Sequence, residues 1–282
     1  MRRMYFIGVT TGASSIHNFF GSWAALAGVR DAVLIGIDIP LGAAPDLYRD
    51  AVRTVLEDPD ACGALVTTHK TAVYEHARDL FDALEPDADA LREVSCITRH
   101  ESGLAGAAVD PLASSLALRS IFGDSPFRGH ALILGAGGAA VALATCLFRE
   151  HRPAVVTLTE ISPARRDAVR SLTPAECLLV TSPEDHDRLI ARLPAGALIV
   201  NATGMGKDRR GVPITTGARF PAHSIAWDLN YRGDLHFLKY AQGAQTVDGW
   251  ELFLHGWSQI MSRVFGFALT PELFASMRAV VR

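Results

Sequence analysis

The feature that most constrains this sequence is a glycine-rich loop between an apolar strand and an apolar helix. The run ALILGAG is followed by AAVALATCLFREH, whose hydrophobic residues recur at helical spacing. Glycine at Gly135 and Gly137 allows a tight turn and lets backbone N–H groups approach a pyrophosphate, and the small Ala140 allows close packing of helix on strand. The loop predicts a dinucleotide site that includes Gly138 and Ala139; the alternative is a doubly wound domain without cofactor.

Strand-length apolar runs alternate with helical stretches along the whole chain, which is typical of an α/β fold. The strand candidates are MYFIGVT, AVLIGIDI, GALVTT, ALILGAG, AVVTLTE, CLLVTS, ALIVNAT and HSIAWDLN. The tail GWELFLHGWSQIMSRVFG has apolar residues at helical spacing and predicts one long helix. A break between Pro111 and Pro126 divides the chain into two predicted domains.

Composition excludes several other classes of protein. The net charge is −3, so no basic surplus indicates a nucleic-acid partner. The four cysteines are scattered without a CxxC pair, and no His, Cys or carboxylate cluster has metal-ligand spacing. The start is too short for a signal peptide and no segment is long enough to span a membrane, which predicts a soluble, cytoplasmic protein.

The cofactor preference is indicated by Glu160, which ends the strand after the glycine loop in TLTEIS. An acidic side chain there suits the ribose hydroxyls of NAD and repels the 2′-phosphate of NADP. The sequence therefore favours NAD over NADP. Arg165 and Arg166 lie just beyond, and they keep open the alternative that a phosphate is accommodated.

Lys70 is unusual because the chain has 27 basic residues and only three of them, Lys70, Lys207 and Lys239, are lysine. It closes the apolar run ALVTTHK. Arginine stays protonated in proteins, whereas lysine can take part in proton transfer. Lys70 is therefore a candidate acid–base group, and the alternative is a cation that only marks the end of a strand.

Six segments in matching order resemble the shikimate dehydrogenase family: ALVTTHK, GAAVDP, GAGGA, NATGMG, DLNY and the Asp248-Gly249 pair before the last helix. The resemblance implies a catalytic Lys70 paired with Asp110, although Asp110 before a proline also suits a helix N-terminus. It implies a substrate-contacting Tyr231, whose alternative role is a core aromatic. It places Asn201, Thr203 and Gly204 among the cofactor-binding residues.

Several positions depart from the family pattern, and most of them lose a polar group. Ala64 and Thr68 replace an asparagine and a proline of the lysine segment, and Ala108 and Val109 replace an asparagine and a threonine before the aspartate. Ser95 replaces an asparagine, and Gly256 replaces a glutamine of the last helix. The ungapped N-terminal alignment places the family's S-x-S-P segment on Ser14-Ser15-Ile16-His17, which keeps one carboxylate-binding serine, Ser14, and puts Ile16 at the position of the other. The substrate-contact candidates are Ser14, Thr67, Ser95, Tyr231 and His255.

The resemblance, together with these departures, implies a nicotinamide-dependent oxidoreductase that interconverts a ring hydroxyl and a ketone on a small polar cyclic compound other than shikimate. The expected domains are a substrate-binding α/β domain (residues 1–112, completed by a C-terminal helix 246–282) and a parallel-sheet Rossmann dinucleotide domain (113–245), in a monomer or homodimer. The alternatives are a true shikimate or quinate dehydrogenase with an unusual site, and a catalytically silent NAD-binding sensor.

Overall fold

Two compact units make up the chain in a computed structural model that describes residues 1–207 and 209–281. The first unit comprises Met1–Val109 and the residues from Gly256 onward, and the second comprises Asp110–His255. Each unit contains a six-stranded sheet with helices, which confirms the predicted α/β fold class.

The strands are short, and those in the middle of each sheet are largely buried, whereas the edge strands are more exposed. In chain order they are β1 (Arg2–Gly8), β2 (Ala32–Asp38), β3 (Ala61–Val66), β4 (Ala83–Leu84), β5 (Cys96–His100), β6 (Gly103–Ala107), β7 (His130–Leu134), β8 (Val155–Glu160), β9 (Glu176–Leu179), β10 (Leu198–Asn201), β11 (Ile225–Asp228) and β12 (Gln245–Val247).

The helices alternate with these strands through most of the chain. They are α1 (Phe20–Leu26), α2 (Pro45–Glu57), α3 (Lys70–Ala77), α4 (Pro86–Leu91), α5 (Asp110–Phe122), α6 (Gly138–Glu150), α7 (Pro163–Val169), α8 (Pro183–Ile190), α9 (His236–Tyr240), α10 (Trp250–Phe265) and α11 (Pro271–Val280). Within the described residues, no helix combines the length and apolarity that a bilayer crossing requires.

The sheet of the first unit is mixed, with the order β2-β1-β3-β5-β6-β4. Strand β1 is parallel to both β2 and β3, whereas β5 is antiparallel to β3 and to β6. Helix α2 packs Tyr48, Val52 and Val55 against the sheet residues Ile7 and Val66 in one buried cluster. This packing fixes the carboxyl end of β3, from which the segment carrying Lys70 continues.

The sheet of the second unit is entirely parallel among its described pairs, with the order β12-β11-β10-β7-β8-β9. The strand order reverses between β7 and β10, which continue in opposite directions across the sheet. This is the doubly wound arrangement that the glycine loop predicts. In such sheets, ligands bind beyond the carboxyl ends of the strands at the reversal point.

The tail GWELFLHGWSQIMSRVFG forms one long helix, α10, as predicted, but the C-terminal region 246–282 as a whole is not a single helix. Strand β12 precedes α10, and the chain then forms a second helix, α11. Helix α10 ends because Gly266 adopts φ +72°, and α11 begins at a Thr270 cap followed by Pro271, a favourable helix start. In the first unit, the indole N–H of Trp23 donates to the Met277 carbonyl at 2.8 Å and ties α11 to α1.

Candidate active site

The glycine loop of the second unit lies at the reversal point of the parallel sheet. Gly135 follows β7 with φ +97°, and an added Cβ would lie 3.0 Å from the carbonyl oxygen of Ala202, which follows the neighbouring β10. Ala202 in turn donates its N–H to the Leu134 carbonyl at 2.9 Å. Both the left-handed backbone and this close approach favour glycine at position 135.

The N-terminus of α6 presents backbone donors to open space. Gly137 is the N-cap of the helix, and no atom lies within 4 Å of the position that a Cβ at Gly137 would occupy. Ala140 is fully buried one turn further on, as close helix–strand packing requires. The first-turn N–H groups and the positive end of the helix dipole suit a pyrophosphate. These residues therefore fit the dinucleotide that the sequence predicts.

Glu160 lies at the end of β8, as predicted, and its carboxylate is fixed there. Its Oε1 accepts from the N–H of Ile161 at 2.8 Å and from the N–H of Ser162 at 3.1 Å. The next residue, Ile161, is 68% exposed. Arg165 donates from Nε to the Ala136 carbonyl at 3.0 Å, whereas Arg166 pairs with its neighbour Asp167 at 2.6 Å.

A buried polar network joins the ends of β10 and β11. Asn201 Nδ2 donates to Asp228 Oδ1 at 3.1 Å, and the backbone N–H of Asn230 donates to the same oxygen at 2.9 Å. Asn201 Oδ1 accepts from the hydroxyl of Thr203 at 2.7 Å, and Asn230 Nδ2 donates to the Met205 carbonyl at 2.9 Å. The network thus shapes the loop that carries Thr203 and Gly204, which has φ +74°.

Asp228 and Asn230 belong to this network, and the sequence patterns did not indicate either of them. Asp228 is only 1% exposed, and burial raises the pKa of its carboxyl to about 6. Both residues lie in DLNY, the segment in which the family resemblance indicates only Tyr231. A buried acidic residue at a strand end beside an asparagine segment is a detectable pattern, but its partner 27 residues earlier is not.

In the first unit, Lys70 is the first residue of α3 rather than the last residue of a strand. Strand β3 ends at Val66, Thr68 adopts φ +53°, and His69 precedes the helix. His69 is buried, and its Nε2 donates to the Ile39 carbonyl at 2.8 Å, so its ring is part of the packed structure. Lys70 itself is half-buried.

Ser95 links the Lys70 segment to the end of the first unit. The N–H of Val94 donates to the Lys70 carbonyl at 3.1 Å. The adjacent Ser95 is fully buried; its hydroxyl accepts from the N–H of Val109 at 2.7 Å and lies 3.4 Å from the Ala107 carbonyl. Asp110 follows Val109 directly as the first residue of α5. Lys70 and Val109 are therefore joined through two neighbouring residues of one unit.

The remaining substrate-contact candidates of the first unit differ in exposure. Thr67 is half-buried, and Gly8 leaves room for its side chain, since a Cβ at Gly8 would lie 2.8 Å from Thr67 Oγ1. Ser14 is buried and caps a short 3-10 turn through the Ile16 N–H. Ile16 and Ala64, which stand where the family pattern has polar residues, are both fully buried.

Tyr231 and His255 lie in the second unit beside aromatic and acidic neighbours. The ring centroid of Tyr231 is 4.1 Å from that of Phe253 and 5.5 Å from that of Trp250. His255 is 8% exposed, and its Nε2 lies 4.0 Å from a carboxylate oxygen of Glu251, one turn earlier on α10. Over residues 1–207 and 209–281, no group of His, Cys, Asp and Glu could hold a metal ion.

Comparison with known proteins identifies the family to which the chain belongs. No family model matches the chain. The shikimate dehydrogenase (NADP(+)) of Rhodospirillum rubrum is 31% identical over 287 residues, covering 98% of this chain and 95% of the relative. That of Methylobacterium radiotolerans is 30% identical over 281 residues, covering 96% and 94%.

Solved structures agree on the fold. Shikimate dehydrogenase from Aquifex aeolicus has a TM-score of 0.78 at 21% identity and covers 100% of this chain and 98% of its own. The quinate dehydrogenase of Corynebacterium glutamicum in complex with NAD has a TM-score of 0.73 at 19% identity, covering 99% and 98%. At these identities the structural likeness speaks for the fold, whereas the sequence identities establish the relationship. The chain belongs to the shikimate dehydrogenase family of oxidoreductases.

Proposed function

We propose that this protein catalyses the reversible oxidation of a ring hydroxyl to a ketone on a small polar cyclic compound other than shikimate, with NAD as the preferred cofactor. The observation that carries the proposal is that Lys70 and Asp110 are retained while positions of the surrounding polar shell are apolar or committed to the backbone. The dinucleotide would bind at Gly135, Gly137 and the N-terminus of α6.

Lys70 is proposed to exchange a proton with the substrate hydroxyl. A bound nicotinamide would supply the hydride chemistry. Lys70 Nζ, as the unprotonated amine, would accept the hydroxyl proton during oxidation and return it during reduction. An ammonium group in the first turn of a helix lies at the positive end of the helix dipole, which does not stabilise a purely structural cation. This placement favours a chemical role. Asp110 is proposed to orient Lys70 and to balance its charge.

The preference for NAD is supported by the environment of Glu160. A 2′-phosphate near the end of β8 would meet a fixed carboxylate and the exposed apolar side chain of Ile161. Arg166 is paired with Asp167, and Arg165 is hydrogen-bonded to the glycine loop. The names of the relatives favour NADP instead, because they specify NADP(+).

The proposal that shikimate is a poor substrate rests on lost hydrogen-bonding groups. Ala64 and Ile16 carry no side-chain donor, and both are fully buried. The Ser95 hydroxyl serves the backbone at Val109. Several absent hydrogen bonds, each worth roughly 0.5–1.5 kcal/mol, would lower shikimate affinity by orders of magnitude. Shikimate dehydrogenase is the second candidate function, and the names of the relatives favour it.

A substrate panel tests these proposals. Cyclic polyols and hydroxy acids, with shikimate and quinate included, are screened by absorbance of the reduced nicotinamide and by thermal shift. We expect turnover of another cyclic alcohol at a kcat/KM at least about 100-fold above that for shikimate, the consequence of several lost hydrogen bonds. A micromolar KM for shikimate with ordinary turnover would establish the second candidate instead.

Gly256 offers a matched variant for the same screen. No atom lies within 4 Å of the position of a Cβ at Gly256, so Gly256→Gln, which restores the polar group of the family pattern, should fold. We expect it to raise kcat/KM for shikimate, and Gly256→Leu, of similar size but apolar, should not. Equal effects of the two variants would show that the missing amide does not limit shikimate use.

A further inference from the structure

A buried chain of hydrogen bonds runs from the glycine loop into the body of the second unit. Gly135 N–H donates to Thr159 Oγ1 at 3.1 Å. Thr159 Oγ1 lies 2.9 Å from His186 Nε2, and His186 Nδ1 lies 2.6 Å from the Pro213 carbonyl oxygen. Thr159 is fully buried on β8, and His186 on α8 is 6% exposed. These hydrogen bonds join four segments that are distant in sequence.

The Pro213 carbonyl and the neutral His186 ring together determine which atom donates in each of these three hydrogen bonds. The Pro213 carbonyl can only accept, so His186 Nδ1 must carry a proton. Burial lowers the pKa of His186, which keeps the ring neutral at pH 7 and makes Nε2 an acceptor. The Thr159 hydroxyl must then donate to Nε2, which leaves its lone pairs for the N–H of Gly135. One arrangement of protons satisfies the whole chain.

This series of hydrogen bonds holds the glycine loop on one side, through the Gly135 N–H. On the other side, Gly135 approaches the Ala202 carbonyl so closely that a Cβ would lie 3.0 Å from it. The next residue, Ala136, accepts from Arg165 Nε at 3.0 Å. The left-handed backbone at Gly135 sets the direction of the following N–H groups, which lead into the N-terminus of α6. The hydrogen bond between the Gly135 N–H and Thr159 therefore restrains the part of the loop nearest the proposed pyrophosphate.

We propose that Thr159 and His186 are positioning residues for the dinucleotide: they hold Gly135 so that the N–H groups after it face the pyrophosphate. This inference rests on the proposed dinucleotide site and assigns to it two residues that touch no ligand. Loss of the Thr159 hydroxyl leaves the part-buried Gly135 N–H and the buried His186 Nε2 without their partners in this series, and the loop is then free to turn away.

The test compares three threonine variants by isothermal titration calorimetry with NAD. Thr159→Val keeps the shape and suits a strand but removes the hydroxyl. Thr159→Ser keeps the hydroxyl. Thr173→Val makes the same chemical change at another buried threonine of the unit, which accepts from the Ala175 N–H at 3.3 Å. We expect the Kd for NAD to rise about tenfold in Thr159→Val, and to stay within about threefold of wild type in the other two.

A second position keeps the test decisive if Thr159→Val fails to fold. His186→Phe interrupts the same series of hydrogen bonds, so it should also raise the Kd for NAD about tenfold. The Kd of the double variant should be little higher than that of the single variant that binds NAD less tightly. Wild-type affinity in either folded variant would overturn the inference while leaving the proposed function intact. Failure of the unmodified protein to bind NAD or NADP would instead refute the proposed function, and the inference with it.

Discussion

Replacing Asp228 by asparagine should change how the stability of the protein depends on pH. The carboxyl is 1% exposed and accepts from Asn201 Nδ2 and from the Asn230 N–H. Burial is the largest cause that raises its pKa from 3.8 to about 6; those hydrogen bonds act in the opposite direction, and the charge of Asp248 adds to the increase. Ionisation is therefore harder in the folded protein than in the unfolded chain.

The sign and size of the effect follow from linkage. Between pH 4 and 6 the folded protein holds a proton on Asp228 that the unfolded chain has released, so the free energy of unfolding rises as the pH falls through this range. The full difference corresponds to about 3 kcal/mol for a change of roughly two pKa units. About 1.3 kcal/mol of it should appear between pH 7 and pH 5.

Urea unfolding of the wild type and of Asp228→Asn, followed by tryptophan fluorescence at pH 7 and pH 5, measures this directly. Other groups titrate in both proteins, so they cancel in the difference between the two. From pH 7 to pH 5 the wild type should gain about 1.3 kcal/mol relative to the variant. A difference that stays constant within about 0.3 kcal/mol, the usual scatter of independent effects, would refute the raised pKa.

Three further substitutions test the proposed chemistry. Lys70→Arg keeps the charge but fixes the proton, so it should bind NAD normally by calorimetry and lose about 10²–10⁴-fold in kcat on the substrate that the panel finds; near-normal turnover would make Lys70 a structural cation. Asp110→Asn should also lower kcat, and the double variant should be little worse than the worse single one in the same assay. Glu160→Arg should narrow or reverse the preference for NAD, measured as the ratio of the two Kd values, by roughly 1–3 kcal/mol. Tighter binding of NADP than of NAD by the unmodified protein would show that Glu160 does not set the preference.

Local patterns predicted the parallel sheet of the second unit well. Strands β7, β10 and β11 each contain a run of three or four apolar residues, β8 alternates apolar residues with threonine, and a strand, a glycine turn and a helix follow one another directly at Gly135. The hairpin of β5 and β6 was not predicted. Strand β6, Gly103–Ala107, contains only Gly, Leu and Ala, which have little intrinsic preference for strands, and pairing with β5 decides its conformation.

The residues that organise the candidate site were harder to predict because their partners are distant in sequence. Thr159 and His186 are 27 residues apart, as are Asn201 and Asp228. Nothing in the local sequence of either pair indicates the other member. The start of α3 at Lys70 was not predicted either, because it follows a left-handed backbone at Thr68 that the local sequence does not indicate.

Ser95 is a position at which the expected substrate specificity depends on a hydrogen bond within the fold. The sequence suggested a substrate contact, because a shorter hydroxyl replaces the amide of the family pattern. In the folded unit that hydroxyl accepts from Val109 N–H, the residue before Asp110, while the adjacent Val94 donates to the Lys70 carbonyl. The replacement therefore exchanges a long polar side chain for one that supports the segments bearing the proposed catalytic pair. If Lys70 and Asp110 act as proposed, this replacement leaves the proton-transfer groups in place and alters the surface beside them, so the substrate is expected to differ while the type of reaction stays the same.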